Sequence, residues 1–214
     1  MQLSFFTDSD VVNVAKSLVG NFLFSSVGGA ITGGMITETE AYCGERDLAM
    51  QKHLLRRPSS VTTLKKEGGI AYIYTVYGYH SMFNIVTNEV GYADSVLIRA
   101  IKPTVGLDII HERRGSNIAV RNLCDGPAKL SQALALTPAL NGEPVVNSNN
   151  IWIESNAEFN AAEKIISAPR IGIDYAREDK NEDRKGDKRD KESKAHPARD
   201  DTSLPWRFTL KQGV

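Results

Sequence analysis

Thr37-Glu38-Thr39-Glu40-Ala41-Tyr42 sets two carboxylates two residues apart in a β-type run that ends on an aromatic. On a strand, residues i and i+2 share a face. Ile36, Glu38, Glu40 and Tyr42 are therefore expected on one side, and Thr37, Thr39 and Ala41 on the other. A carboxylate beside an aromatic wall is a candidate general base. The same pattern also describes the solvated face of an antiparallel strand, so the neighbouring segments have to decide between the two.

Upstream, Asn21 to Ser26 and Ala30 to Tyr42 read as strands joined by Val27-Gly28-Gly29, with Gly33-Gly34 marking a turn or bulge just before the carboxylates. Thr7 to Gly20 predicts an amphipathic helix: Thr7 and Asp10 make a capping-box-like start, and Val11, Val12, Ala15, Leu18 and Val19 recur at helical spacing. Downstream, Gly44 to Ser60 reads as a loop with a helical turn within Asp47 to Leu55, carrying Lys52, His53, Arg56 and Arg57. Its basic residues suit either phosphates or plain solvation. The loop histidine has no partner at metal-binding spacing, so no metal site is expected.

Ile70 to Thr87 predicts strand, turn, strand, with β-branched and aromatic residues on both sides of Tyr77 to Ser81. Tyr72 and Tyr74 share a face. Tyr77 and Tyr79 fall at the tip, where exposed aromatics suit insertion between bases, the alternative being hairpin stacking. Asp94 to Ala100 is a further strand, and Arg99, following the apolar run Val96-Leu97-Ile98, needs a carboxylate partner. Pro103 to Arg114 predicts a helix, as does the stretch from Pro127 through Leu136. The amides at Gly126 together with Lys129 offer a phosphate site, with packing the alternative. Ile151 to Glu154 and Ala168 to Ala176 read as short strands.

At 214 residues, with 41% hydrophobic and 24% charged content, the chain fits one domain with a sizeable core. Cys43 and Cys124 are too few for a disulfide framework and are expected as free thiols. No apolar run approaches bilayer length, so no membrane role is expected. The opening residues carry no leader pattern, which places the protein in the cytoplasm if bacterial, in the nucleus if eukaryotic, and not outside the cell. With 26 basic and 26 acidic residues, any nucleic-acid binding must rest on local positive charge. Arg177 to Asp201 holds nine basic and nine acidic residues with almost no apolar ones, and reads as a solvated, flexible insertion at about 178–201.

Several ordered blocks together resemble the alkyladenine (3-methyladenine) DNA glycosylase family. These are Thr37 to Tyr42, Tyr72 to Gly78, Phe83-Asn84-Ile85, Val96 to Ala100, Gly126 to Leu130, and Arg170 to Ala176 with Leu204 to Phe208. The resemblance implies a single α+β domain with a curved, mostly antiparallel sheet, peripheral helices and a protruding β-hairpin. It implies action on damaged purines in double-stranded DNA, by a monomer with no cofactor. Carried onto this sequence, Glu40 is the base that activates water, and Arg99 positions the water or the carboxylate. Tyr42 and Tyr74 sandwich the extruded base, Tyr77 fills the gap it leaves, and Asn84 discriminates against the guanine amine, with Ala49 and Gln51 completing the base pocket. The residue types suit this chemistry, because a carboxylate near the anomeric carbon stabilises developing positive charge and takes the water's proton. No lysine in these blocks suggests a Schiff base, so base release without strand cleavage is expected.

Two departures stand out. The family's Asp-x-Ala-x-His reads Asp47-Leu48-Ala49-Met50-Gln51 here, putting glutamine where the resemblance implies a histidine. Glutamine hydrogen-bonds but does not titrate near neutrality, which predicts a narrower range favouring cationic purines, with His53 as a substitute reached only through a shifted loop. The charged insertion before Leu204 is the second departure. A nucleoside hydrolase would also use a carboxylate and aromatic walls, but it has no need of a tip tyrosine. A non-catalytic damage-binding protein has no need of a base.

Overall fold

The computed structural model describes residues 1–159, 164–177 and 199–211. The organising stretch lies in β2 (Thr32–Tyr42), the centre of an eight-stranded sheet. The sheet order is β3 (Ala71–Val76), β4 (His80–Thr87), β5 (Asp94–Val105), β2, β1 (Phe22–Ser25) and β6 (Ile151–Glu154). Past the end of β1, β8 (Arg207–Leu210) takes the second edge of β2 opposite Glu38 to Glu40, and β7 (Ile165–Ala168) pairs with β8. Every strand pair is antiparallel. The carboxylates therefore stand on a strand hydrogen-bonded along both edges.

Alternation along the strands separates two faces. Ala71, Ile73, Phe83, Ile85, Val96 and Ile98 enter the main core, together with Val11, Val14, Ala15 and Leu18 of α2 (Val11–Leu18) and Leu130 and Ala133 of α6 (Pro127–Ala133). The opposite face carries Tyr72, Val86 and Tyr42, covered by Met50 and Leu54 of α3 (Leu48–Arg56) and by Leu64 of α4 (Val61–Leu64). Burial of both faces is what lets this antiparallel sheet hold a polar cluster away from water.

The phase of β2 is broken by a pair of bulges. Ile36 pairs with Ile101 and Glu38 with Ala100, so Thr37 is an extra residue on β2; Thr39 then pairs with Ile98, so Arg99 is an extra residue on β5. Ile36 consequently faces the main core with Thr39 and Ala41, not the side of Glu38 and Glu40 as strict alternation predicts. Bulges of this kind re-aim side chains beside functional sites. Here they turn Glu38, Glu40 and Arg99 toward one another. Gly34 lies at a further irregularity, where a Cβ would sit 2.1 Å from the Lys102 carbonyl oxygen, so only glycine allows β2 and β5 to approach there.

Several element boundaries differ from those predicted. The helix expected from Thr7 begins at Val11, because Asp10 accepts from the Val12 and Asn13 amides at 3.1 Å; α1 (Leu3–Phe6) precedes it. The Gly44 to Ser60 loop contains the full helix α3, started by Asp47 accepting from Ala49 N–H at 2.9 Å. Pro103 is part of β5, beyond the end of its pairing with β4 and at the irregular register with Gly34, both places where a strand tolerates proline. The helix that follows is α5 (Leu107–Arg114). α6 ends at Ala133, with Ala135 in the left-handed region. The strand expected over Ala168 to Ala176 is only the end of β7, and 169–176 form an irregular loop over the site. Residues 178–198 of the charged insertion lie outside the described residues. Its flank is fastened, with Arg177 paired to Asp200 at 3.2 Å and Asp201 accepting from Leu48 N–H at 2.8 Å.

Candidate active site

Glu40 is 0% exposed and its two oxygens have distinct partners. Oε1 accepts from the Ile171 N–H at 2.7 Å; Oε2 accepts from the Tyr42 hydroxyl at 2.8 Å and lies 3.4 Å from Arg99 NH1. Burial raises the Glu40 carboxyl above the usual carboxylate range, against the pull of Arg99, the Ile171 amide, Tyr42 and Arg170. Arg99 is shared: its Nε donates to Glu38 Oε1 at 3.0 Å, and Arg207 NH1 donates to the same oxygen at 3.0 Å. Glu38 thus neutralises part of Arg99 and leaves Glu40 a strong proton acceptor.

In front of this cluster is a cavity of about 750 Å3, lined by Tyr42, His53, Arg56, Arg57, Tyr74, Tyr77, Met82, Leu97, Arg99, Ile171 and Tyr175 among others. Its tyrosines carry guanidinium groups on their rings: Arg170 is 4.7 Å from Tyr42, Arg57 is 4.9 Å from Tyr74 and Arg56 is 4.2 Å from Tyr175. Burial raises the Tyr42 and Tyr74 hydroxyls above their ordinary range, so both rings are neutral stacking surfaces. Tyr77 stands at the rim, 86% exposed, on the β3–β4 hairpin.

The structure therefore brings Arg99, Tyr42, Tyr74 and Tyr77 around one cavity, with Glu40 buried behind its partners Tyr42, Arg99 and Ile171. Asn84 lies on the same sheet face, buried, with its amide donating to the Tyr72 and Met82 carbonyls at 3.2 and 3.3 Å. Ala49 is buried in α3 against Ile173. Gln51 does not line the cavity; Asp47 starts the helix at Leu48, which turns Gln51 outward, and its amide donates to the Glu45 carbonyl at 2.9 Å. His53 lines it instead, its Nε2 2.8 Å from the Tyr72 hydroxyl and its ring 4.8 Å from that of Tyr74. Burial and the flanking Arg57 and Arg56 lower its pKa to about 4, so the ring is neutral at pH 7. Lys129 is paired with Asp125 at 2.8 Å on the surface, while Pro127, next to Gly126, borders the cavity.

Residue pattern alone assigns no role to Arg170, Asp47 or the Ile171 amide. The Arg170 guanidinium is buried and bonds Asp47 at 2.5 and 2.8 Å. The signal was present, since an arginine next to an apolar run needs a buried carboxylate just as Arg99 does. Recognition by a backbone amide leaves no trace in residue type.

A buried carboxylate backed by arginine, behind an open cavity with aromatic walls, is an arrangement whose chemistry suits proton abstraction and the stacking of a flat ring. The sequence profile described as methylpurine-DNA glycosylase (MPG) matches residues 4–213, and the chain belongs to that family. A Chlamydia felis protein named as a 3-methyladenine DNA glycosylase is 38% identical over 97% of this chain and 94% of its own. Its Chlamydia abortus counterpart is 39% identical over 97% and 96%. One from Encephalitozoon cuniculi, named as a DNA-3-methyladenine glycosylase, is 36% identical over 75% and 76%. The protein is a DNA glycosylase of DNA repair. Among the described residues, no helix is long and apolar enough to cross a membrane.

Proposed function

We propose that the protein extrudes alkylated purines of the 3-methyladenine and 7-methylguanine type from duplex DNA and hydrolyses the N-glycosidic bond with a water activated by Glu40. The observation that carries this reading is the Glu40 carboxylate, fully buried and held by Ile171, Tyr42 and Arg99 at the back of a cavity walled by Tyr42 and Tyr74. The water oxygen bonds to C1′ as the C1′–N9 bond breaks, its electron pair leaves with the purine, and Glu40 takes the water's proton. Arg99, partly neutralised by Glu38, steadies the carboxylate without quenching it. Tyr77 fills the space vacated in the stack, and Arg56 and Arg57 at the rim supply the local positive charge that a neutral chain needs to meet phosphates. The product is an abasic site in an intact strand, formed by a monomer without a cofactor.

Single-turnover base release from duplexes carrying methylated purines tests this. Wild type should release the base, and Glu40→Gln should be slower by roughly 10^3-fold or more while still binding the duplex. Equal rates for the two proteins would remove Glu40 from the mechanism.

A further inference from the structure

We propose that Arg170 is a positioning residue for this reaction: anchored on Asp47 and Ala41, it fixes the Ile171 amide against Glu40 and so holds the carboxylate in its working orientation. The inference rests on the reading of Glu40 as the base. Arg170 does not line the cavity; its side chain is 0% exposed. NH1 bonds Asp47 Oδ2 at 2.5 Å and the Ala41 carbonyl at 2.9 Å, and NH2 bonds Asp47 Oδ1 at 2.8 Å. Its Cζ lies 4.7 Å from the Tyr42 ring and 5.2 Å from that of Trp206. One guanidinium thus ties together the catalytic strand, the N-terminus of α3 and the loop.

The next residue reaches the other way. Ile171 has an exposed side chain, 52% accessible at the cavity rim, yet its N–H points inward at Glu40 Oε1. β7 ends at Ala168 and 169–176 lie outside any strand or helix, so no ladder fixes this amide. The buried anchor one residue away does. A lone buried guanidinium is costly: Nη1 and Nη2 are paired here while Nε has no partner among the described residues, so swinging away from Asp47 would strand the charge, which is what makes it a firm mount.

The arrangement bears on charge as well as direction. Glu40 is faced by Arg99 from β5, with Glu38 behind it, by Tyr42 from its own strand, by Tyr74 from β3, and by Arg170 and Tyr175 from the loop. Burial raises its carboxyl, while Arg99, the Ile171 amide, Tyr42 and Arg170 hold it down. Loss of the amide lets it rise further, so the base form is reached only at higher pH.

Two variants test this: Arg170→Lys, whose compact ammonium cannot reproduce the planar two-nitrogen pairing with Asp47, and an amide-to-ester replacement at Ile171 that removes only the N–H. Both should slow single-turnover base release by roughly 10- to 100-fold, with lesion-duplex affinity within about twofold of wild type. The acid limb of the pH–rate profile should move up by about one unit, the equivalent of losing one hydrogen bond to a charged group. A folded Arg170→Lys protein with the wild-type rate and profile overturns the proposal; if that variant does not fold, the ester decides. Titration of the Glu40 carboxyl by NMR in the wild-type and ester proteins separates this inference from the reading it rests on. Should wild type release no base, an unchanged titration in the ester protein overturns the positioning role and an upward shift supports it.

Discussion

Tyr77→Asn should strengthen the fold and weaken the enzyme. Tyr77 has φ +52° and Gly78 φ +80°, and the Tyr79 N–H closes the turn on the Val76 carbonyl at 3.3 Å. A left-handed conformation costs a residue with a bulky Cβ about 1–2 kcal/mol, and Asn-Gly is the pair that hairpins with two such residues prefer. The tyrosine ring recovers almost nothing by burial, being 86% exposed. Asparagine should therefore stabilise the hairpin by about 0.5–1 kcal/mol, raising Tm by roughly 1–4 °C in a chain of this size.

On DNA the sign reverses. Stacking of one aromatic on a base is worth about 1–3 kcal/mol, so lesion-duplex affinity and base release at subsaturating protein should fall roughly 5- to 150-fold. Differential scanning calorimetry and single-turnover release with the same protein preparation read both effects. A fall in Tm would show that the ring holds the hairpin together. A rise in Tm with unchanged release would refute the assignment of Tyr77 as the wedge.

Asp47→Ala should destabilise the fold by about 4–6 kcal/mol in urea titrations, since it strands a buried guanidinium and removes the cap of α3. Asp47→Asn, which keeps the cap but loses the charge, should cost less by about the value of the cap, roughly 1 kcal/mol, and equal costs would show that the cap contributes little. His53 has a folded-state pKa of about 4 against about 6.5 unfolded, so the unfolded chain takes up the proton first as pH falls. Its contribution should be intact above about pH 6.5 and be lost toward pH 4, by at most about 3 kcal/mol; His53→Gln should flatten that part of the urea-midpoint profile. Deleting 178–198 while keeping Arg199 to Asp201 should leave stability and duplex affinity unchanged, whereas extending the deletion through Asp201 should destabilise α3, because Asp201 accepts from Leu48 N–H. Equal stability of the two deletions would count against that link.

β2 and the β3–β4 hairpin were legible as runs of β-branched and aromatic residues with glycines close by, and Arg99 was legible because a charge among apolar residues demands a partner, whereas β7 and β8 carry no such boundary signal. The face of Ile36 was not. Alternation is a two-residue rule, and the extra residues at Thr37 and Arg99 shift its phase through pairing with another strand, which local pattern does not encode. α3 was underestimated because its start depends on a cap whose carboxylate also serves Arg170, 123 residues away. The same start settles the position of Gln51: with the helix beginning at Leu48, position 51 turns toward Glu45 and position 53 toward Tyr72 and Tyr74.

That rotation changes the argument about substrate range. The expectation of a preference for cationic purines rests on a pocket lacking an imidazole, yet an imidazole lines this cavity. It is neutral, with Arg56 and Arg57 beside it opposing protonation, so near pH 7 it offers hydrogen bonding but not proton donation from an imidazolium. A neutral leaving purine would still lack that acid, so a preference for cationic purines is again the expected outcome, now from the neutral His53 ring. Arg57 and Arg56 also lie on the Tyr74 and Tyr175 rings, and Arg170 on that of Tyr42, where they compete with a cationic purine for π density. Cationic lesions are thus expected to be favoured by the chemistry at the leaving group, and less by stacking at the walls than bare tyrosines would favour them. The two effects separate experimentally, since the first appears in the rate of the bound complex and the second in its affinity.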